Sequence, residues 1–210
     1  MISEAGVFSY EYDNMGRKTK LIYPNGVITS YSYDNLGRLI YIEHKNPQGK
    51  TLSFKYTYDP AGNVIKIVQN GERVWEYSYD RLYRLVRESL EGEYFIEYEY
   101  DAFGNRLKQN HNGNITTCTY NANDQLIEEH RPEGVIYYNW DANGNLVKKE
   151  GLGEVWEYEW DYDNKLVRAL LNGEEVVRYV YDYEGNKVKE IKNTQEIDFL
   201  VDSNNLTGYS

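Results

Sequence analysis

The chain of 210 residues contains one cysteine, two methionines and three histidines. A single thiol, Cys118, excludes an internal disulfide and leaves the redox compartment open. No apolar run approaches the ~18 residues that a membrane-spanning helix needs. Basic residues are in deficit, with 23 Lys and Arg against 34 Asp and Glu, a formal charge of −11. That balance argues against nucleic acid, whose phosphates select basic surfaces, and it favours solubility without specifying a partner. The opening stretch MISEAGVFSYEYD holds neither a basic nor an apolar segment of a secretory leader, so no signal peptide is expected in it.

Aromatic residues are abundant instead. The chain has 23 Tyr and 4 Trp, with aromatics at 15 %, an enrichment that favours strands. They recur in a pattern, aromatic-Asp-x-x-Gly. It is complete at Tyr12, Asp13 and Gly16; Tyr33, Asp34 and Gly37; Tyr58, Asp59 and Gly62; Tyr100, Asp101 and Gly104; Trp140, Asp141 and Gly144; and Tyr181, Asp182 and Gly185. In three further copies another residue takes the glycine slot: Tyr83 after Tyr79 and Asp80, Asp124 after Tyr120 and Asn121, and Asn164 after Trp160 and Asp161. The nine anchors are spaced by 20 to 25 residues.

Each copy reads as a β-hairpin. At the anchor and the positions two and four before it, 21 of 27 residues are aromatic, and the positions between are polar apart from Tyr137 and Val180. Period-two alternation of this kind marks a strand with one buried and one wet face. In D-x-x-G the Asp suits the first position of a type I turn, where its carboxylate accepts turn N–H groups, and the Gly suits a residue of positive φ. Asn and Asp, found at 164 and 124, tolerate that conformation best after glycine, and Tyr83 is the misfit. Asn25-Gly26, Asn70-Gly71, Asn112-Gly113 and Asn172-Gly173 read as the tight turns that return the chain. The fold expected is therefore all-β, about nine antiparallel hairpins of some twenty residues and about eighteen strands. Open twisted sheets rarely exceed ~10 strands, so the sheet is expected to curl or spiral with its aromatic face inward. Residues 1–197 are expected to form the repeat domain, and 198–210 are read as a separate segment on the resemblance given below.

No constellation reads as an active site. His44, His111 and His130 fall in different repeats, at or near loops or strand ends, and read as solvated. The Asp residues are explained as turn formers and Glu97, Glu99, Glu157 and Glu159 as the wet face of strands, so the chain reads as a non-enzyme with no cofactor. DANGN at Asp141 and DYDNK at Asp161 alternate oxygens, but a calcium loop of the EF-hand kind needs Gly at its sixth position and Glu at its twelfth. Leu146 and Leu152, and Leu166 and Asn172, stand there, so plain turns are expected and no metal. Asn114 and Asn205 open glycosylation sequons, relevant only in a eukaryotic secretory pathway. The rival to a structural role is sugar binding, in which Trp75, Trp140, Trp156 and Trp160 would stack on the ligand.

The nine anchors, with the Gly-Arg or Gly-Asn that follows them at Gly37-Arg38, Gly104-Asn105 and Gly144-Asn145, resemble the YD repeat of the RHS family. That family includes bacterial RHS and wall-associated repeat proteins, the B and C components of Tc toxins, and teneurins. The resemblance covers about residues 8–190, and the tail from Asp198 resembles the segment leading into the RHS core. It implies a ribbon of hairpins spiralling into a hollow shell, which encloses a C-terminal toxic domain in some members and is an extracellular scaffold in others. It further implies a secreted or cell-surface setting within a longer protein. The partners implied are the remainder of an RHS chain or a toxin cargo, and loosely carbohydrate. Exposed strand edges would favour edge-to-edge self-association. The proteolytic aspartates of the family belong to the core, so no catalytic residue is carried over.

Overall fold

The computed structural model describes residues 2–3, 6–192, 195–202 and 205–208. All regular structure among them is strand, in 22 segments. The chain divides into two compact units, residues 1–98 with 110–113, and residues 99–109 with 114–210.

In the first unit each strand pairs antiparallel with the next in sequence, from Ser9–Tyr12 and Lys18–Ile22 through to Leu85–Leu90 and Tyr94–Tyr100. The second unit repeats the arrangement from Asn114–Tyr120 and Leu126–Arg131 to Lys187–Lys192. From Ser9–Tyr12 to Lys187–Lys192 there are eighteen strands, as nine hairpins require. Gln195–Asp202 then extends the ladder across residue 198 and pairs with Asn205–Gly208.

The D-x-x-G turns are built as their residues dictate. Gly16 N–H donates to the Asp13 carbonyl at 3.0 Å, and Asp13 N–H to that of Arg17 at 2.9 Å. The ladder slips by one residue there, since Glu11 faces Lys20 and Tyr12 faces Lys18. This is a type I turn with a glycine bulge. Tyr83 proves to occupy the glycine slot, with φ +62°, beside Asp124 and Asn164 at +59°. The return turns follow expectation at Asn70-Gly71, Asn112-Gly113 and Asn172-Gly173, where both residues have positive φ. Asn25-Gly26 does not: only Gly26 has positive φ, and its N–H donates to the Tyr23 carbonyl. Pro24, with φ fixed near −65°, selects the type I form in its place.

Burial separates the two faces. Along Glu154–Trp160, Trp156, Tyr158 and Trp160 are half-buried while Glu157 and Glu159 are exposed. Among the described residues the buried ones are Leu21, Thr29, Leu90, Cys118, Glu129, Ile136 and Ala169, and register puts all of them on the ring-bearing face. The aromatic rings themselves keep partial exposure among the described residues. The expected aromatic core is thus a row of half-buried rings flanking buried non-aromatic side chains. A ring in one sheet layer is covered from the sides by its row, and its outer face needs a further layer.

Candidate functional site

The repeated motif is a junction, and its parts can be followed from turn to neighbour. Asp13 Oδ1 accepts the backbone N–H groups of Met15 and Arg17, both at 2.9 Å. Its Oδ2 accepts Arg17 Nε at 2.7 Å. Asp34 with Arg38 and Asp80 with Arg84 repeat the latch at 2.6 and 2.7 Å. Asn63, Asn105, Asn145 and Asn186 close it with an amide at 2.8–3.1 Å on Asp59, Asp101, Asp141 and Asp182.

These bonds stabilise the ionised form, so the carboxylates titrate below their usual range. For Asp59, Asp101, Asp141 and Asp182 the asparagine side chain is the main cause. At Asp34 and Asp80 burial opposes the shift most strongly, and the arginine hydrogen bonds outweigh it. A carboxylate with its oxygens committed to turn donors is a poor base or nucleophile, so the acids of the motif have a structural task.

The anchor ring ties one repeat to the one before it. Tyr33 Oη donates to the Lys18 carbonyl at 2.8 Å, and Tyr58 Oη to that of Leu39 at 2.6 Å. Tyr79, Tyr120 and Tyr181 reach Val64, Arg106 and Leu166 in the same way at 2.9–3.0 Å. Trp140 and Trp160 do it with Nε1, to Leu126 and Leu146 at 2.8 Å. The acceptor sits at or next to the bulge, where the ladder slips. The residue after the glycine adds a second tie. Arg17 Nη1 donates to the Asp34 carbonyl at 3.2 Å with its guanidinium 4.8 Å from the Tyr33 ring centre, and Arg38 repeats this with Asp59 and Tyr58. In the second unit, Asn105 and Asn145 donate to Asp124 Oδ1 and Asn164 Oδ1, both at 2.8 Å.

Sequence reasoning missed both ties, although a signal was there. All nine anchors are Tyr or Trp and none is Phe, while Phe occurs five times in the chain. A position that excludes phenylalanine is asking for a donor at the far end of a ring.

One polar cluster lies on the ring-bearing face. Buried Glu129 accepts Arg131 Nε at 2.8 Å and Tyr138 Oη at 2.9 Å. Burial, then the bond to Glu129, pushes the Tyr138 hydroxyl up to about 12. Burial would raise the Glu129 carboxyl, but its two donors hold it below the usual range. The four tryptophans are divided between the units, with Trp140, Trp156 and Trp160 in the second. Trp75 lies in the first unit, with Arg73 5.2 Å from its ring centre. Trp140 and Trp160 are held by their indole bonds. Trp156 stacks on Tyr158 with centroids 6.3 Å apart and donates to Glu154 at 3.1 Å. His44 departs from the solvated reading: it is half-buried, 2.9 Å from the hydroxyl of fully buried Thr29. His130 meets Glu128 at 3.0 Å.

The model of the teneurin YD-shell family matches residues 27–92 and 75–200. No curated protein sequence matches. The fold is similar to that of TcdB2-TccC3, with a TM-score of 0.70 and 17 % identity over 95 % of this chain and 13 % of that one. TcdB2-TccC3 without its hypervariable C-terminal region gives 0.70 and 17 % over 95 % and 12 %. The Photorhabdus luminescens Tc holotoxin pore gives 0.52 and 18 % over 99 % and 14 %. The chain therefore spans about an eighth of the length of these chains.

Proposed function

The chain belongs to the teneurin YD-shell family, and from that premise we propose that it is a length of shell wall, non-catalytic, which screens a cargo held behind its ring-bearing face. The observation that carries this is the junction itself. The buried anchor rings and the residue after the glycine hold one hairpin to the next, and the motif acids that could do chemistry are bound to donors of their own turns. Such a unit extends indefinitely by repetition, which suits a wall and offers no convergent site. The setting is secreted or cell-surface, within a longer protein whose remainder, or a toxin, is the partner. Protease protection tests the reading. Produced as the longer protein proposed, the remainder of that protein should resist digestion while the repeats are folded and be cut once they are unfolded. Equal cutting in both states would overturn it.

A second reading, carbohydrate binding, is favoured by one feature. Beside Trp156 lies a cavity of about 180 Å³ lined by Arg131, Ile136, Lys149 and Gly151, so a half-exposed ring stands next to polar donors. Oligosaccharide titration followed by tryptophan fluorescence would detect it. A response unchanged in Trp156→Ala would exclude this site.

A further inference from the structure

Turn residues that face water are ordinarily polar, yet the third residue of every D-x-x-G turn of the first unit is apolar. Met15, Leu36, Leu82 and Tyr83 stand at their tips, 75 %, 77 %, 64 % and 65 % exposed, with Pro60 and Ala61 at the tip between. Tyr83 also holds φ +62°, a conformation that strains a tyrosine and suits a glycine. An exposed ring kept at a strained position points to a use for the ring. Consecutive tips are two strands apart, ~9.6 Å at the usual strand spacing. The side chains therefore form a row of knobs separated by gaps one side chain wide. Together they leave roughly 600 Å² of mainly apolar surface open, the size of the largest patch on a typical monomer.

We infer that this row is a self-association surface whose occupant is the same row of a second copy, related by a two-fold axis. One patch serves both partners in such a contact, and the pair would bury about 1,200 Å², the lower end of specific interfaces. The charges of the row cancel. Asp13, Asp34 and Asp80 each hold an arginine at 2.6–2.7 Å, and Arg81 offsets Asp59. Two such rows meet without the repulsion that a chain charge of −11 imposes elsewhere. The last three turns of the second unit are unsuited to self-pairing, because within them Asp141, Asp161, Asp163, Asp182 and Glu184 are set against a single base, Lys165. Run antiparallel, the small tip at Ala61 receives Leu36 of the second copy. The contact lies at the turn ends and uses no ladder hydrogen bond, which sets it apart from pairing between strand edges.

Sedimentation equilibrium of the whole chain tests this. The unaltered chain is expected to form a dimer with rising concentration, and the double variant Leu36→Ser with Leu82→Ser to weaken it at least tenfold. Tyr83→Gly separates association from folding: it should weaken the dimer while raising the unfolding midpoint, because it removes the ring and the strain together. Tyr162→Ser, at an acidic turn of the second unit, should leave the dimer unchanged. A monomer at the highest soluble concentration would overturn the inference. So would a dimer unaffected by the first-unit variants, or one lost equally in Tyr162→Ser.

Discussion

Removing one oxygen atom from an anchor should cost more than the atom's size suggests. In Tyr58→Phe the ring and its packing stay, and only the 2.6 Å bond to the Leu39 carbonyl is lost. A hydrogen bond of this kind contributes a net ~0.5–1.5 kcal/mol, and leaving a half-buried carbonyl without its donor moves the cost towards ~1–2 kcal/mol. For a domain of this size that corresponds to a fall in melting temperature of roughly 2–8 °C. Tyr12 is the internal control, as the first of the nine anchors and 60 % exposed. Tyr12→Phe should stay within ~0.5 kcal/mol of the parent, as surface substitutions do. Urea unfolding of the three proteins, followed by tryptophan fluorescence, gives the comparison. Equal midpoints for Tyr58→Phe and the parent, or a larger loss for Tyr12→Phe, would refute the claim that the hydroxyl ties the repeats.

Three further outcomes are expected. At the turn slot, Tyr83→Gly should stabilise by ~1 kcal/mol by relieving the left-handed tyrosine. Gly104→Val, at φ +99°, should destabilise by more than ~1 kcal/mol, and denaturant midpoints in the reverse order would contradict the turn assignment. Burial raises the hydroxyls of Tyr58, Tyr79, Tyr120 and Tyr181, and Tyr138 reaches about 12. Unfolded tyrosines titrate near ~10, so this stability is complete below ~10 and is lost as pH rises through the folded values. Melting temperatures should fall between about pH 10 and 12, less steeply in Tyr138→Phe. The turn aspartates run the other way, since their folded values lie below the unfolded one. Their contribution is present above ~4 and lost as pH falls through the folded values, and an acid melting profile should be shallower in Asp59→Asn than in the parent.

The period, the hairpins and the turn chemistry were legible because their causes are local. Alternation over five residues gives the strand, and Asp and Gly act within their own turn. The identity of the return turn at Asn25-Gly26 was misjudged because Pro24, one residue earlier, selects another form. The anchor bond to Lys18 or Leu39 spans some 15 to 20 residues, so no window along the sequence displays it. Its trace was the exclusion of phenylalanine from the anchors. Buried Glu129 was hidden for a different reason. Return strands carry scattered polar residues on both faces, and only register with Cys118 and Ile136 assigns Glu129 to the ring-bearing face. The latch was partly visible as the recurring Gly-Arg and Gly-Asn, whose second residue proved to bond both its own aspartate and the next turn.

The central claim is that the motif couples each repeat to the one before it, and amide hydrogen exchange on Tyr181→Phe tests it most directly. The variant loses only the 2.9 Å bond to the Leu166 carbonyl. Loss of ~1.4 kcal/mol of local stability is a tenfold change in the opening equilibrium. Amides of Leu166–Leu171 and Glu174–Tyr181 should exchange about tenfold faster, while those of Asn114–Tyr120 keep the parent's rate. Unchanged exchange in Leu166–Leu171, or the same acceleration in Asn114–Tyr120, would contradict it.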